Sequence, residues 1–195
     1  MKQERTDRRV KYTKMVLRQS LLELLEEQPI SKLTVTDLCA RADVNRNTFY
    51  AHYQSPFDLL MQIEDELYEE IMRSVERSLS ARTMSTFLLE VCQSIEANGD
   101  LCRLLVSEHG DKDFLRRVMQ VAHDWSIAEW SARPGDLDRE GMELLYSFAA
   151  NGSIAVIEGW IKSNMQKSPQ EIAMLIEKMT RSGQAAFFPS SSDIM

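Results

Sequence analysis

The sequence predicts an all-α fold made of an N-terminal group of three helices, with a helix-turn-helix, followed by a C-terminal helical bundle. Of the 195 residues, 44% are hydrophobic, while only seven are glycine and five are proline. Apolar residues recur every three or four positions, which is the spacing of one helix face, and no convincing strand alternation occurs. The length suits one compact core or two small domains.

The first predicted helix runs from about Arg8 to Glu27. It ends at Gln28 because the residue before Pro29 is pushed out of the helical region. Basic side chains cluster near its beginning. Its apolar stripe at the spacing i, i+4, i+7, i+8 consists of Leu17, Leu21, Leu24 and Leu25.

Two short helices follow, separated by a tight turn over residues 42–44. Thr34 begins the first of them, about 35–41, as an N-cap with Asp37 three residues later, the arrangement of a capping box. Asn45 caps the second, about 46–52. A small core of Leu38, Val44 and Phe49 would fix the angle between the two helices.

A fourth helix begins at Ser55-Pro56, since serine is a preferred N-cap and proline is favoured at the first helical position. Asp58 in its first turn suits the positive helix end. This helix is predicted to reach about Ser80. Further helices are predicted near 83–98, 100–107, 111–131, 138–164 and 168–186. The predicted domains are 1–55 and 56–188, with a disordered tail at 189–195.

The formal net charge of -7 is unevenly distributed along the chain. Residues 1–60 carry ten Lys and Arg against eight Asp and Glu, whereas residues 61–195 carry 13 against 22. A local basic surface matters more for nucleic-acid binding than the charge of the whole chain. The first domain is therefore compatible with DNA binding.

The segment from Thr34 to Tyr53 has the order helix, tight turn, helix. In a helix-turn-helix the second helix enters the major groove, with its N-terminal residues against the bases. Its polar side chains are of the kinds that read base edges or grip phosphate. The predicted DNA-binding residues are Thr34, Thr36, Asn45, Arg46, Asn47, Thr48, Tyr50, His52 and Tyr53.

Some of these assignments have an alternative. Tyr50 and Tyr53 could equally pack in the core. The basic residues before and within the first helix could contact the DNA backbone or minor groove, or form a disordered tail. They are Arg5, Arg8, Arg9 and Lys11.

The segment TVTDLCARADVNRNTFYAHYQSPFDLL resembles the DNA-binding domain of TetR regulators. The run Phe49-Tyr50-x-His52-Tyr53 stands where that family has its aromatic hallmark. The resemblance implies a cytoplasmic, homodimeric regulator that binds a double-stranded DNA operator. Many members carry lysine where Pro56 stands, so the phosphate contact there would have to come from N–H groups of the fourth helix. Many also carry glycine where Asp43 stands, although aspartate tolerates the left-handed conformation.

The segment YSFAANGSIAVIEGWIKSNMQKSPQEIAMLIEKM resembles the dimerising helix pair of a Firmicute-type TetR branch. Some relatives in that branch activate transcription or respond through a partner protein, so an activator or protein-binding module is the alternative to a repressor. Small residues at helical spacing let helices approach closely. The predicted dimer interface is Ala149, Gly152, Ser153, Val156, Gly159, Ile172, Leu175 and Met179.

A pocket for a small-molecule effector is less visible in the sequence. Adaptable apolar walls with a few polar groups suit such sites, although aromatic residues at helical spacing also form plain cores. The predicted lining residues are Cys92, Trp125, Trp130, Met142, Tyr146 and Trp160.

The sequence predicts no metal site, no cofactor and no membrane association. Cys39, Cys92 and Cys102 lack metal spacing and are expected to be reduced and buried. His109 and His123 have no ligand-like companions. No run of 18 apolar residues and no catalytic constellation occurs, so an enzyme is disfavoured.

Overall fold

The computed structural model describes residues 2–77, 83–107, 113–133, 135 and 137–188, with side chains from Arg8 onward except 75–77. The predicted tail 189–195 lies outside these residues. The described part contains helices and turns but no strand, which confirms the predicted all-α class. The helices are α1 (Lys2–Glu27), α2 (Val35–Ala42), α3 (Arg46–Tyr50), α4 (Pro56–Arg77), α5 (Met84–Ala97), α6 (Gly99–Leu105), α7 (Phe114–Gln120), α8 (His123–Ser131), α9 (Arg139–Lys162) and α10 (Pro169–Ala185), with a 3-10 turn at Ile30–Lys32.

The chain forms two compact units. The N-terminal unit comprises the described residues of Met1–Glu69 and Asp100–Asp111, and the C-terminal unit those of Glu70–Gly99 and Lys112–Met195. The predicted domain division at residue 56 stays a prediction.

In the N-terminal unit, α1 packs against α2 and α2 packs against α3. The leucine stripe of α1 is buried, as are Leu38 and Phe49, while Val44 is half-buried. Burying a leucine or phenylalanine side chain contributes about 1.5–3 kcal/mol. Because α2 and α3 are too short to be stable alone, this packing holds them.

The helix ends of this unit are capped as predicted. The Asp37 N–H donates to Thr34 Oγ1 over 3.2 Å, and the Thr34 N–H donates to the Asp37 carboxylate over 3.1 Å, which completes a capping box. The turn residue Asp43 has a φ of 50°, so aspartate does adopt the left-handed conformation here. The Asp58 N–H donates to Ser55 Oγ over 3.1 Å. Local side-chain chemistry therefore sets the boundaries of α2, α3 and α4.

In the C-terminal unit, α5 packs against α10, and α9 packs against α7, α8 and α10. A core cluster of Ile127, Trp130, Met142, Tyr146 and Phe188 lies among α8, α9 and the end of the chain's described part. Ser168 and Glu171 form a second capping box at the beginning of α10, next to Pro169 at its first position.

Two predicted helices differ from the observed ones. Helix α1 begins at Lys2 instead of Arg8, because residues 2–7 contain no glycine or proline to stop it. The predicted helix 111–131 is wrong, since the structure has α7 and α8 separated at Val121 and Ala122. There the N–H groups of residues 121 and 122 bond to carbonyls only three residues earlier. This break carries no glycine or proline signal.

Among the described residues, α9 is long and apolar enough to cross a membrane, by length and composition only. Core helices of globular proteins pass the same test. Only 28% of its most apolar 18-residue window is buried, so many residues of this apolar window are at least partly exposed.

Candidate DNA-binding surface

Helix α3 is short, and contacts at its two ends hold it in place. Asn45 precedes it, and its Oδ1 accepts the Asn47 N–H over 2.8 Å. Near its other end, Phe49 is fully buried. The cap satisfies a backbone donor that would otherwise be orphaned, and the phenyl ring anchors the helix in the core. The intervening side chains are thereby held on the surface.

Arg46 lies at the beginning of α3 and reaches across to α2. Its side chain is exposed, and its Nη2 donates a hydrogen bond to Thr36 Oγ1. A guanidinium has five N–H donors, so this bond leaves donors that can reach a base or a phosphate. The contact orders a long side chain before any DNA arrives.

The predicted residues divide by exposure. Thr36, Asn47 and Tyr50 are exposed beside Arg46, with 58% of Tyr50 accessible. Thr48 and His52 are half-buried. The surface formed by Thr36, Asn45, Arg46, Asn47 and Tyr50 is called the recognition surface below.

Thr34 has a structural role. Its hydroxyl accepts the Asp37 N–H and donates to the Asp37 carboxylate over 2.6 Å. The hydroxyl and the N–H of Thr34 hold the pKa of Asp37 below its usual range. Although Thr34 is exposed, its hydroxyl is engaged by the capping box.

The expectation that Tyr53 contacts DNA is corrected by its burial. Only 5% of it is exposed, its ring lies 5.7 Å from that of Phe49, and Lys14 Nζ lies 5.9 Å from its centroid. Burial raises the pKa of the Tyr53 phenol. An amphipathic aromatic side chain that is this enclosed contributes mainly packing.

The beginning of α4 is less suited to an anion than the sequence suggests. The Asp58 N–H is used by Ser55, and the Leu59 N–H bonds to the Ser55 carbonyl over 3.2 Å. Pro56 has no N–H. The Asp58 carboxylate itself accepts the Gln54 N–H over 2.8 Å, which places a negative charge at this helix end. These bonds reduce the number of N–H groups at this end of α4 that are available for the predicted phosphate contact, which stays a prediction.

The basic residues of the first helix lie on an ordered helix. Arg8, Arg9, Lys11 and Lys14 are exposed along α1, while the Arg5 side chain lies outside the described ones. Arg18 is paired with Glu66 at 2.9 Å. The helical conformation replaces the alternative of a disordered tail from Arg8 onward and presents these charges at fixed positions.

Comparison with known proteins identifies the family. Residues 19–62 match the model described as "Bacterial regulatory proteins, tetR family", and residues 82–182 match one described as "Transcriptional regulator C-terminal region". The chain belongs to the TetR family of bacterial regulatory proteins. It is a transcriptional regulator with a DNA-binding domain.

One curated relative is an uncharacterized HTH-type transcriptional regulator, YxbF, of Bacillus subtilis (strain 168). It is 32% identical over 72 residues, a match that covers 36% of this chain and 19% of that protein. The chain therefore spans about a fifth of the length of this relative.

Solved TetR-type structures cover nearly the whole chain. A TetR transcriptional regulator from Streptococcus agalactiae 2603V has a TM-score of 0.65 at 24% identity and covers 90% of this chain and 97% of its own. NalD, the secondary repressor of the MexAB-OprM multidrug efflux pump in Pseudomonas aeruginosa, has a TM-score of 0.64 at 16% identity. The match covers 91% of this chain and 97% of NalD. DhaS, a dihydroxyacetone kinase operon activator, has a TM-score of 0.60 at 14% identity. The match covers 90% of this chain and 98% of DhaS. At these identities the likeness shows the fold alone.

The predicted dimer interface of this TetR-family chain is partly corrected. Ser153 and Ile172 are buried inside the C-terminal unit, and Ser153 Oγ donates to the Ala149 carbonyl over 2.7 Å. They therefore do not lie on its surface. The remaining predicted residues are exposed or half-buried, namely Ala149, Gly152, Val156, Gly159, Leu175 and Met179.

Sequence reasoning missed the two most exposed apolar side chains of α9. Leu144 is 67% exposed and Phe148 is 77% exposed. They precede Gly152 at four-residue intervals, so the same helical spacing that suggested the small residues could have found them. The surface of Leu144, Phe148, Gly152, Ala155 and Gly159 is called the α9 stripe below.

The predicted effector pocket is also partly corrected. A cleft of about 890 Å³ in the C-terminal unit is lined by Trp125 and Trp130. Met142 and Tyr146 belong to the core cluster, and Trp160 is buried with its Nε1 donating to the Lys167 carbonyl over 2.8 Å. Cys92 is fully buried and lines no part of this cleft.

The cysteines are free and buried, which confirms the prediction for all three. Burial raises the pKa of the Cys92 thiol to about 12 and raises that of Cys39. Since the thiolate is the reactive form, the raised pKa values lower the reactivity of Cys92 and Cys39. Within residues that the structure describes, no cluster of three His, Cys, Asp or Glu could hold a metal ion. His109 lies outside those residues.

Proposed function

We propose that the chain is a cytoplasmic, homodimeric repressor that binds a double-stranded DNA operator and whose C-terminal unit responds to an effector. The observation that carries this proposal is the recognition surface, where Arg46 is exposed and ordered by Thr36. A helix-turn-helix of this kind reads bases with the first residues of its second helix.

The recognition surface offers two kinds of base-edge contact. Arg46 can donate two hydrogen bonds to guanine, and the Asn47 side chain can bond adenine through its amide. The exposed basic residues of α1 add contacts to phosphate that are independent of sequence. Phosphate contacts would position the protein, and the first residues of α3 would supply specificity.

A homodimer is proposed because one short helix reads too few base pairs to be specific. The α9 stripe and the exposed Leu175 and Met179 of α10 form apolar surface that a second copy could cover. A Cβ added at Gly152 or Gly159 meets nothing within 4 Å in a single chain. These positions would let the helix of a second copy approach closely.

The sign of regulation is proposed as repression, since a dimer covering a promoter blocks it without a further partner. The fold is compatible with either sign, because its solved neighbours include the repressor NalD and the activator DhaS. Deleting the gene should raise transcription from its operator. Lower transcription after deletion would favour the activator alternative.

The direct test is a mobility-shift assay on DNA upstream of its own gene, at low salt and without ligand. Arg46→Ala should weaken binding by about 1–3 kcal/mol, because a base contact is lost. Arg116→Ala is the matched control, since Arg116 is exposed on α7 and paired with Asp113 at 2.9 Å. Affinity should fall steeply with salt. No shift on any promoter fragment, or flat weak affinity together with a stable protein complex, would contradict the proposal.

A further inference from the structure

The C-terminal unit has a cleft whose lining residues belong neither to the recognition surface nor to the α9 stripe. It is formed by the beginning of α5, by α8 and by the second half of α10. Its volume of about 890 Å³ falls in the range of small-molecule sites. We propose that this cleft binds an amphipathic carboxylate, a molecule with an apolar body and one anionic group, as the effector of the regulator proposed above.

The wall of the cleft formed by α8 and the end of the described chain is apolar and rigid. Trp130 and Phe188 are 3% and 2% exposed, and their ring centroids lie 6.1 Å apart. A Cβ on Gly135 would come within 2.5 Å of the Phe188 ring, so only glycine permits this close packing. The half-buried Trp125 provides most of the aromatic surface that an apolar body could contact, and the almost fully buried Trp130 and Phe188 rings form the packed core beside it.

The charges of the cleft favour an anion. Its lining contains Arg133, Lys178 and Arg181 against Glu129 and Glu177. Glu177 is already engaged, since it accepts a hydrogen bond from Ser85 Oγ over 2.8 Å and lies 3.6 Å from Arg181. Two cations therefore face a single remaining acid.

Arg133 lies where the apolar body and the anionic group of the proposed ligand would meet. Its guanidinium lies 5.1 Å from the centroid of Phe188, in a cation–π arrangement. A guanidinium that contacts a ring through its face still has N–H donors along its edges, and these suit a carboxylate. The apolar wall and the cationic edge thus meet at one residue.

An unsatisfied hydroxyl provides independent support. Ser126 lines the cleft and is only 1% exposed, and its Oγ has no hydrogen-bond partner. Buried hydroxyls are almost always bonded, so an unpaired one calls for an explanation. A polar atom of a bound ligand would satisfy it. The cleft therefore combines an apolar wall, an excess of cationic side chains and the unpaired Ser126 hydroxyl.

The experiment is calorimetric titration of the full chain with 2-naphthoate and decanoate, using 2-naphthamide as the neutral isostere. At least one carboxylate should bind with a Kd below about 1 mM, and 2-naphthamide should bind about tenfold more weakly than 2-naphthoate. No binding by either carboxylate, or equal binding of the amide, would overturn the proposal.

Variants locate the site. Lys178→Gln should weaken carboxylate binding about tenfold, because it removes one favourable charge. Lys162→Gln is the matched control, since Lys162 is exposed on α9 and does not line the cleft. Ser126→Ala should also weaken binding while leaving the Tm unchanged or higher, which a merely structural serine would not do. Equal affinity for Lys178→Gln and the wild-type chain places the ligand elsewhere and contradicts the assignment.

The mobility-shift assay without ligand separates this inference from the function on which it rests. A chain that shifts its operator but binds neither carboxylate retains the proposed function and refutes the effector class. A chain that binds the carboxylate in the cleft but shifts no promoter fragment refutes the regulator's proposed mode and supports the ligand site.

Discussion

Helices α3 and α9 each leave one face open to solvent, but the two faces have opposite chemistry. The open face of α3 carries hydrogen-bonding groups such as Arg46 and Asn47. That of α9 carries Leu144, Phe148 and glycines. Polar side chains lose little by remaining in water until DNA arrives, whereas exposed apolar side chains gain by being covered. This difference in chemistry supports the proposal that α3 contacts DNA and that α9 contacts a second copy of the chain.

The largest effect should come from removing the anchor of α3. Phe49→Ala should lower the free energy of unfolding by about 3–5 kcal/mol, because the ring is fully buried. Its neighbour Tyr50 is 58% exposed, so Tyr50→Ala should change stability by no more than about 0.5 kcal/mol. Urea unfolding followed by circular dichroism measures both. If the two variants lose similar stability, α3 does not have one buried and one open face.

The second effect concerns the α9 stripe. Phe148→Asp should weaken self-association by about 2–4 kcal/mol, because a charge would be placed where an apolar anchor is proposed. Because Phe148 is 77% exposed in the single chain, the monomer should remain folded. Analytical ultracentrifugation measures the association. Val121→Asp, at an exposed position between α7 and α8, should leave it unchanged, and an unaltered dimer in Phe148→Asp would argue against this interface.

A smaller effect tests the caps that shape the recognition surface. Thr34→Ala should cost about 1 kcal/mol of stability, since the capping box loses its hydroxyl. Thr34→Ser keeps a hydroxyl and should therefore retain most of the stability that Thr34→Ala loses. Thermal unfolding of the two variants measures the difference. Equal melting temperatures would mean that the capping box does not stabilise α2.

The smallest effect is a pH dependence in the C-terminal unit. His123 contacts Glu143 through Nε2 at 2.6 Å and Asp124 through Nδ1 at 2.8 Å, and its ring packs on Tyr146 at 4.9 Å. Hydrogen bonds to Glu143 and then Asp124 raise the pKa of His123 above its ordinary value of 6.5. Arg139, which also contacts Glu143 at 3.0 Å, shares that carboxylate.

A raised pKa in the folded state stabilises the fold most below pH 6.5, and this contribution is lost as the pH rises through the folded-state pKa. The change should be under about 1 kcal/mol, as for pairs open to water. His123→Gln should flatten the dependence of the melting temperature on pH between about 6 and 8. A dependence that is identical in the variant would assign it to other groups.

Much of the N-terminal unit followed from the sequence. Caps such as Thr34, Asn45 and Ser55 act through neighbours three or fewer positions away, so their pattern is legible in the chain. The aromatic run that begins at Phe49 indicates the family from the sequence alone. The pairing of Arg46 with Thr36 could not be read in this way, because it depends on how α2 and α3 cross.

The C-terminal unit was less predictable. The break between α7 and α8 has no glycine or proline to mark it, and apolar residues at helical spacing do not reveal which of them face outward. Trp130 belongs to the core cluster together with Met142 and Tyr146, yet it lines the cleft with Trp125 while the other two do not.

The sequence by itself determined the all-α class, the helix-turn-helix with its caps and the family, because these depend on periodicity and on short-range hydrogen bonds. The tertiary structure alone decided that Tyr53, Ser153 and Ile172 are buried, that Phe148 is open and that Ser126 faces a charged cleft. Those distinctions depend on which helices pack together, and packing joins residues that are distant in the chain.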